Sequence, residues 1–363
     1  MKTFACICGN RLFFDNTSCL ACSRKVGWCP ECAAIRALEP TADGRFRCTG
    51  EDCGAALVPC RNYALEGVCN RMVVTGPETP ESPLCGGCRF NRTVPDTSVP
   101  GNRAKWAQLE SAKRRLLYTL DDLGLPYGTA EDGYDPPLCF DFKADLVREK
   151  GAWHRLGAVE HVYTGHASGR ITINLDEADD AERERRRINM NEAHRTLIGH
   201  FRHEIAHYYW ELLVRGRCED ACRACFGDHD DPPYGEALKA HYKSGPPDDW
   251  PQRYVSAYAT MHPWEDFAET FAVYLDMAAV LDTVGHWGLE TAIRPLDDFD
   301  RALSTYRHVG ISLNEINREM GLLDVVPEVF VAPVVDKLRF IHELIRTASR
   351  DAGGTTEPGE ARA

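Results

Sequence analysis

Apolar residues recur at helical spacing in several stretches of the chain. Trp106, Leu109, Leu116, Leu117, Leu120 and Leu123 fall on one face, and Gly124 and Pro126 end that helix. Ile198, Phe201, Ile205, Tyr208, Tyr209 and Leu212 predict a second, well-buried helix from about Asn191 to Arg215. Further helices are predicted from Pro263 to about Leu281, near Asp298–Met320 and near Val334–Ala348. Strand texture is confined to short pieces: Leu138–Phe142, His161–Tyr163 and, with the clearest alternation, Arg170–Leu175. The charged run Asp176–Arg187 reads as a solvated helix start, and 216–251 as a loop rich in Cys, Asp, Pro and Gly. Residues 1–93 have no long helical period. The organisation expected is therefore a module over 1–93, a Pro- and Gly-bearing linker over 94–103, a main domain over 104–350 and a disordered tail over 351–363.

Composition narrows the class. With 363 residues, 44% hydrophobic and 27% charged, the chain is globular and long enough for two or three domains. Its 42 basic and 55 acidic residues give a net charge of −13, a poor match to a nucleic-acid backbone. No run of 18 apolar residues predicts a membrane span, and the start MKTFACICGNRLFFDN lacks the apolar core of a signal peptide. A cytoplasmic, reducing location is expected, where closely spaced cysteines are metal ligands rather than disulfides.

Twelve of the sixteen cysteines lie in the first 88 residues. Cys19-Leu-Ala-Cys22, Cys29-Pro-Glu-Cys32 and Cys85-Gly-Gly-Cys88 have the two-residue spacing that lets both thiolates of a turn reach one tetrahedral ion. Grouping in chain order gives three four-cysteine sites: Cys6/Cys8/Cys19/Cys22, Cys29/Cys32/Cys48/Cys53 and Cys60/Cys69/Cys85/Cys88. So small an apolar core needs metal to fold. Residues 1–103 carry 12 basic and 10 acidic residues, and each four-thiolate zinc site adds about −2. The folded module is net negative, so nucleic acid is not an expected partner. Cys218, Cys222 and Cys225, with His229 close by, are either a further metal site or structural thiols.

The segment Gly199–Trp210 contains HExxH. On a helix His203 and His207 share a face and reach one metal, and Glu204 stands beside them, placed to take a proton from a metal-activated water. A catalytic zinc needs a third protein ligand and one open position. Position 213 is Leu, which removes a histidine ligand six residues past His207. Downstream, His262-Pro-Trp-Glu265-Asp-Phe-Ala-Glu269 puts two glutamates on one face of a helix that Pro263 begins. One would bind metal and the other would orient a ligand histidine; Glu265 as ligand is favoured, with the exchange of roles as the alternative. Tyr258 is either a core aromatic or a phenol donating to a developing oxyanion.

HFRHEIAHYYW with SAYATMHPWEDFAETF resembles the putative zinc-binding metallopeptidase family that carries an N-terminal zinc ribbon. The resemblance extends through RTVPD, TGHASGRITINLDEADDAERERRR and CGNRLFFDNTSCLAC. It implies a gluzincin-type peptidase, HExxH plus a downstream glutamate. Tyr258 ahead of Glu265-Asp-Phe-Ala-Glu269 is also similar to the catalytic domain of anthrax lethal factor, which implies Glu265 as zinc ligand and Tyr258 as catalytic assistant. The chain departs from the family in Cys6-x-Cys8 and in its additional cysteines over Cys29–Cys53 and Cys218–Cys225, so two to three structural zinc ions are expected beside one catalytic ion.

The expected fold is α+β, a zinc-ribbon module followed by a zincin-like domain whose small sheet packs on the HExxH helix. The expected function is zinc-dependent hydrolysis of a peptide or protein substrate, with Arg170–Leu175 as the edge to which an extended peptide adds. The rival reading is a non-enzymatic ribbon adaptor that binds protein or nucleic acid on a zincin scaffold; a scaffold has no need of Glu204.

Overall fold

The computed structural model describes residues 1–147, 159–160, 162, 164–179 and 196–354. The architecture is α+β. Contacts divide the chain into two compact units: Met1–Arg114 with Phe140–Tyr163 and Ile173–Ala178, and Arg115–Cys139 with Thr164–Thr172 and Asp179–Ala363.

The first unit opens with a two-stranded ribbon, β1 (Phe4–Ala5) against β2 (Arg11–Leu12). A five-stranded antiparallel meander follows: β3 (Val26–Cys29), β4 (Ala34–Pro40), β5 (Phe46–Cys48), β6 (Ala56–Pro59) and, after the single turn α1 (Arg61–Ala64), β7 (Met72–Val74). Trp28 N donates to Asn70 O at 2.8 Å, which ties the first strand back to the start of the last. The core of this meander is Cys29, Leu38, Cys48, Leu57, Cys60, Tyr63, Cys69, Met72, Cys85 and Cys88, six cysteines in ten residues. Thiols thus occupy positions that aliphatic side chains fill in a metal-free domain. Also in this unit, β8 (Asn91–Thr93) runs parallel to β9 (Cys139–Lys143), and β10 (Leu146–Val147) pairs with β11 (Val159–Glu160).

Helix α2 (Asn102–Leu123) buries the predicted face, with Trp106, Leu109, Leu116, Leu117 and Leu120 at 1% exposure or less. It also buries Glu110 and Lys113, paired at 3.0 Å. Asn91 Nδ2 and Trp106 Nε1 donate to the same Glu110 oxygen at 2.6 and 3.2 Å. Three donors thus converge on one oxygen of that carboxylate, which offsets the cost of its burial.

In the second unit β12 (Gly165–Ala167) and β13 (Arg170–Asn174, whose last two residues belong to the first unit) form a hairpin, with His166 opposite Ile171. Its turn needs Gly169: φ is +75°, and a Cβ there would stand 2.2 Å from Pro137 O. β13 is an inner strand, and β12 is the terminal one of its sheet. Among the described strands the expected edge, Arg170–Leu175, therefore lies on an inner strand.

The HExxH helix is α3 (Leu197–Tyr209), continued by one π-turn over Trp210–Val214. The stretch 216–251 is not the loop its composition suggested. It contains α4 (Glu219–Phe226) and α5 (Tyr234–Ser244), whose short turns between Pro- and Gly-rich breaks leave little periodicity to read. Three long helices complete the unit: α6 (Pro263–His286), α7 (Phe299–Glu319) and α8 (Ala332–Gly354). Helix α8 continues to Gly354, so Asp351–Gly354 are helical rather than tail; 355–363 lie outside the described residues. Outside them too are His161, Tyr163 and most of the charged run.

α3 packs along α6 through Tyr209 stacked on Phe271, rings 5.3 Å apart, with Phe201, Ile205, Phe267 and Phe271 fully buried. Arg202 of α3 pairs with Asp276 of α6, and Tyr306 of α7 donates to the other Asp276 oxygen at 2.7 Å. Lys337 of α8 donates to Asp266 of α6 at 2.6 Å and to Arg253 O at 2.9 Å. Burial pushes the Asp266 carboxyl up to about 7 against the pull of Lys337. Lys337→Met should cost roughly 3–5 kcal/mol, because it leaves a buried carboxyl without its cation. The loss should be larger at pH 8 than at pH 5, where Asp266 takes up a proton instead. A urea midpoint shifted equally little at both values would contradict this account of the pair.

Candidate functional site

The site begins at the N-terminus of α3. Thr196 caps it, its hydroxyl accepting from Gly199 N at 3.0 Å, and this fixes the helical phase two turns before His203. His203 and His207 then face α6, and Glu204 follows His203 on the same helix. Glu204 and His207 are buried; His203 keeps 14% of its side chain exposed. α6 starts at Pro263 with His262 as its cap, Nδ1 accepting from Trp264 N at 3.2 Å. That start places Glu265 in the first turn and Glu269 one turn on.

The two glutamates do different things. Glu265 Oε2 lies 3.0 Å from His203 Nε2 and 3.6 Å from His207 Nε2, and the two Nε2 atoms are 3.2 Å apart. Bonds of about 2.0–2.1 Å to a tetrahedral zinc set donor separations of about 3.3 Å. These three atoms therefore fit one zinc ion, and Glu265 Oε2 has no hydrogen-bond partner of its own. Glu269 instead takes the far side of His203: its Oε1 lies 2.7 Å from Nδ1, leaving Nε2 for the cluster. Of the two arrangements open in the sequence, this geometry matches Glu265 in the cluster and Glu269 behind the histidine.

The local field suits a cation. Burial alone would favour neutral His203, but the Glu265 and Glu269 carboxylates override it and hold the imidazole well above its usual range. Burial likewise opposes charge on Glu265, and the two imidazoles overcome it. A divalent ion answers the same need without the proton.

Tyr258 lies in a short turn, Tyr258–Thr260, its ring 6.0 Å from that of His203 and 6.0 Å from that of His241. Three contributors were not visible in the sequence. Ser256 donates to Glu269 Oε2 at 2.7 Å and accepts from Ala259 N at 3.1 Å, so it couples the Tyr258 turn to the residue behind His203. Tyr234, first residue of α5, donates to Glu265 Oε1 at 2.9 Å. Trp264 covers His207, rings 4.1 Å apart. None sits in a spacing that carries chemistry.

In the first unit the cysteines gather as the three groups Cys6/Cys8/Cys19/Cys22, Cys29/Cys32/Cys48/Cys53 and Cys60/Cys69/Cys85/Cys88. The sulfur pairs Cys6–Cys22, Cys8–Cys19, Cys29–Cys53, Cys32–Cys48 and Cys69–Cys85 are 3.6–3.8 Å apart. Zinc–sulfur bonds of about 2.3 Å in a tetrahedron give about 3.8 Å. Burial pushes Cys6 up to about 12 and Cys29 up to about 11, while hydrogen bonds from Arg24 pull Cys22 down to about 6, so a cation would bring the remaining protonated members of a group to thiolate.

Residues 102–344 match the family described as "Putative zinc-binding metallo-peptidase", and residues 3–99 match a zinc-ribbon domain. The chain belongs to this zinc-binding metallopeptidase family. Uncharacterized proteins of two Mycobacterium tuberculosis strains and of Mycobacterium bovis are 36% identical over 372 aligned residues, covering 100% of this chain and 99% of theirs. No solved structure matches the chain. No described helix of this family member is long and apolar enough to cross a membrane.

Cys218, Cys222 and Cys225 form no metal cluster among the described residues; Cys222 is buried and Cys218 Sγ points to Leu213 O at 3.7 Å. Replacing Cys218 and Cys225 by Ser and Cys222 by Ala should leave the zinc content of the purified chain unchanged by elemental analysis. Loss of one equivalent would place a fourth thiolate site there.

Proposed function

We propose that the protein is a zinc metallopeptidase of the gluzincin type that hydrolyses peptide bonds in the cytoplasm. The observation that carries this reading is the convergence of His203 Nε2, His207 Nε2 and Glu265 Oε2 within 4.8 Å, with the buried Glu204 one residue from His203. His203, His207 and Glu265 hold the catalytic ion, and the three cysteine groups hold three structural ones. The catalytic zinc, when bound, supplies Lewis-acid polarisation and lowers the pKa of water.

The chain's own residues do the rest. Glu204 takes the proton of the attacking water and returns it to the leaving amine. Tyr258 donates its phenolic proton's hydrogen bond to the developing oxyanion. Glu269 fixes the orientation of His203 through Nδ1, and Ser256 holds Glu269. β12, the terminal strand, packs against α3 and offers its outer edge to an extended substrate backbone. Residues 104–363 carry 30 basic and 45 acidic residues, which favours basic or neutral peptides over acidic ones.

Glu204→Gln should retain the zinc content of the parent and lose hydrolysis of a denatured-protein panel, since the residue moves a proton and binds no metal. Loss of a zinc equivalent from that variant would make Glu204 a ligand and refute its role. Tyr258→Phe should keep fold and zinc while kcat falls by roughly 10²-fold or more, the scale of one oxyanion donor. An unchanged kcat would return Tyr258 to a packing role.

A further inference from the structure

The carboxylate of Glu265 is divided among three neighbours. Oε2 faces His203 and His207, while Oε1 accepts the Tyr234 hydroxyl at 2.9 Å. Glu265 is 2% exposed, so no solvent competes for either oxygen. Tyr234 is held in turn. It is the first residue of α5, and its ring stands edge-on to His262 at 5.3 Å and to Trp264 at 5.9 Å. His262 caps the helix that carries Glu265, and Trp264 covers His207. The phenol, on a residue 37% exposed, thus rests against the same turn that presents the carboxylate.

We propose that Tyr234 is a positioning residue that keeps Glu265 monodentate: by occupying Oε1 it presents Oε2 alone to the metal and leaves the fourth coordination position for water. The inference rests on the zinc reading of this site. A glutamate whose second oxygen is free can turn about its last torsion and chelate a zinc ion through both atoms, since zinc expands readily to five positions. Its own hydrogen bond is the restraint against that turn, and removing such a partner typically costs about 10–100-fold in metal affinity or activity. The element that supplies the restraint comes from 216–251, outside the two helices that carry His203, His207 and Glu265.

The test compares the full-length parent, Tyr234→Phe and Glu265→Ala. A chelator strips the accessible site, and cobalt(II) replaces the ion there; an intense near-ultraviolet sulfur band would reveal cobalt in the cysteine sites, and such preparations are rejected. Zinc affinity of the site is measured by competition with the same chelator. Phenylalanine keeps the ring contacts with His262 and Trp264, so the loss is confined to one hydroxyl, and an unchanged unfolding midpoint verifies this. Tyr234→Phe should bind one ion about 10–100-fold more weakly, and its cobalt visible absorption should drop in intensity as the coordination number rises from four to five. Glu265→Ala should take up no ion. A Tyr234→Phe protein with the parent's spectrum and affinity, beside a Glu265→Ala protein that has lost the ion, would overturn the role of Tyr234 alone. A Glu265→Ala protein that keeps the ion with parental affinity would overturn the zinc reading and this inference together.

Discussion

A carboxylate shut away from water must be compensated by what surrounds it, and Glu265 is such a group. Its compensation comes from two imidazoles on α3 and one phenol on α5, and these can meet it only if α3 and α6 are held at one height and one rotation. Much of the second unit can be understood as the means of that alignment. Tyr209 and Phe271 set the separation of the two helices. Arg202, the residue before His203, pairs with Asp276, which Tyr306 also joins, and this fixes their height. Lys337 anchors Asp266, the neighbour of Glu265, and the carbonyl of Arg253 at once. Ser256, three residues on from Arg253, then holds both Glu269 and the turn of Tyr258. The buried polar groups around the site thus form connected sets rather than isolated pairs, and such sets lose more than one contact when a member is removed.

The first unit solves a different problem with a related device. Its meander strands are short, three to seven residues, and six of the ten residues at its core are cysteines. Aliphatic burial at that scale does not supply enough stability. Four thiolates at the corners of a tetrahedron would, with a cation between them to offset their mutual repulsion. In both units a divalent ion would neutralise charge that the fold has already placed out of water. The ribbon thiols close the coordination sphere; the two histidines and Glu265 leave a position open, and that difference separates a structural site from a catalytic one in the proposed function.

Much of this was legible in the sequence because it is written in short-range spacing. HExxH fixes its two imidazoles four residues apart on a helix, and the cysteine pairs announce their turns. The three groups form in chain order, the first around the β1–β2 ribbon and the second on turns of the meander. The identity of the third donor was not written that way. Glu265 and Glu269 share a helix face, and only the phase set by Pro263 and His262 decides which meets the Nε2 atoms and which meets Nδ1. Tyr234 and Ser256 were invisible for a plainer reason: each acts through one hydrogen bond across more than a dozen residues, and no periodicity marks such a bond. Helices α4 and α5 were missed because breaks rich in Pro, Gly and Asp hide two short amphipathic turns. Arg170–Asn174 reads as an edge but lies inside its sheet, since alternation identifies a strand without saying what lies beside it.

The central claim is that one zinc ion sits between α3 and α6, held by two imidazoles and a single carboxylate oxygen. Anomalous scattering from crystals of the protein as purified, recorded on either side of the zinc absorption edge, tests it most directly. The account expects a zinc peak about 2.0–2.1 Å from His203 Nε2, His207 Nε2 and Glu265 Oε2, with Glu265 Oε1 still on Tyr234. Zinc peaks confined to the cysteine groups, with His203, His207 and Glu265 joined to one another and no metal among them, would contradict it.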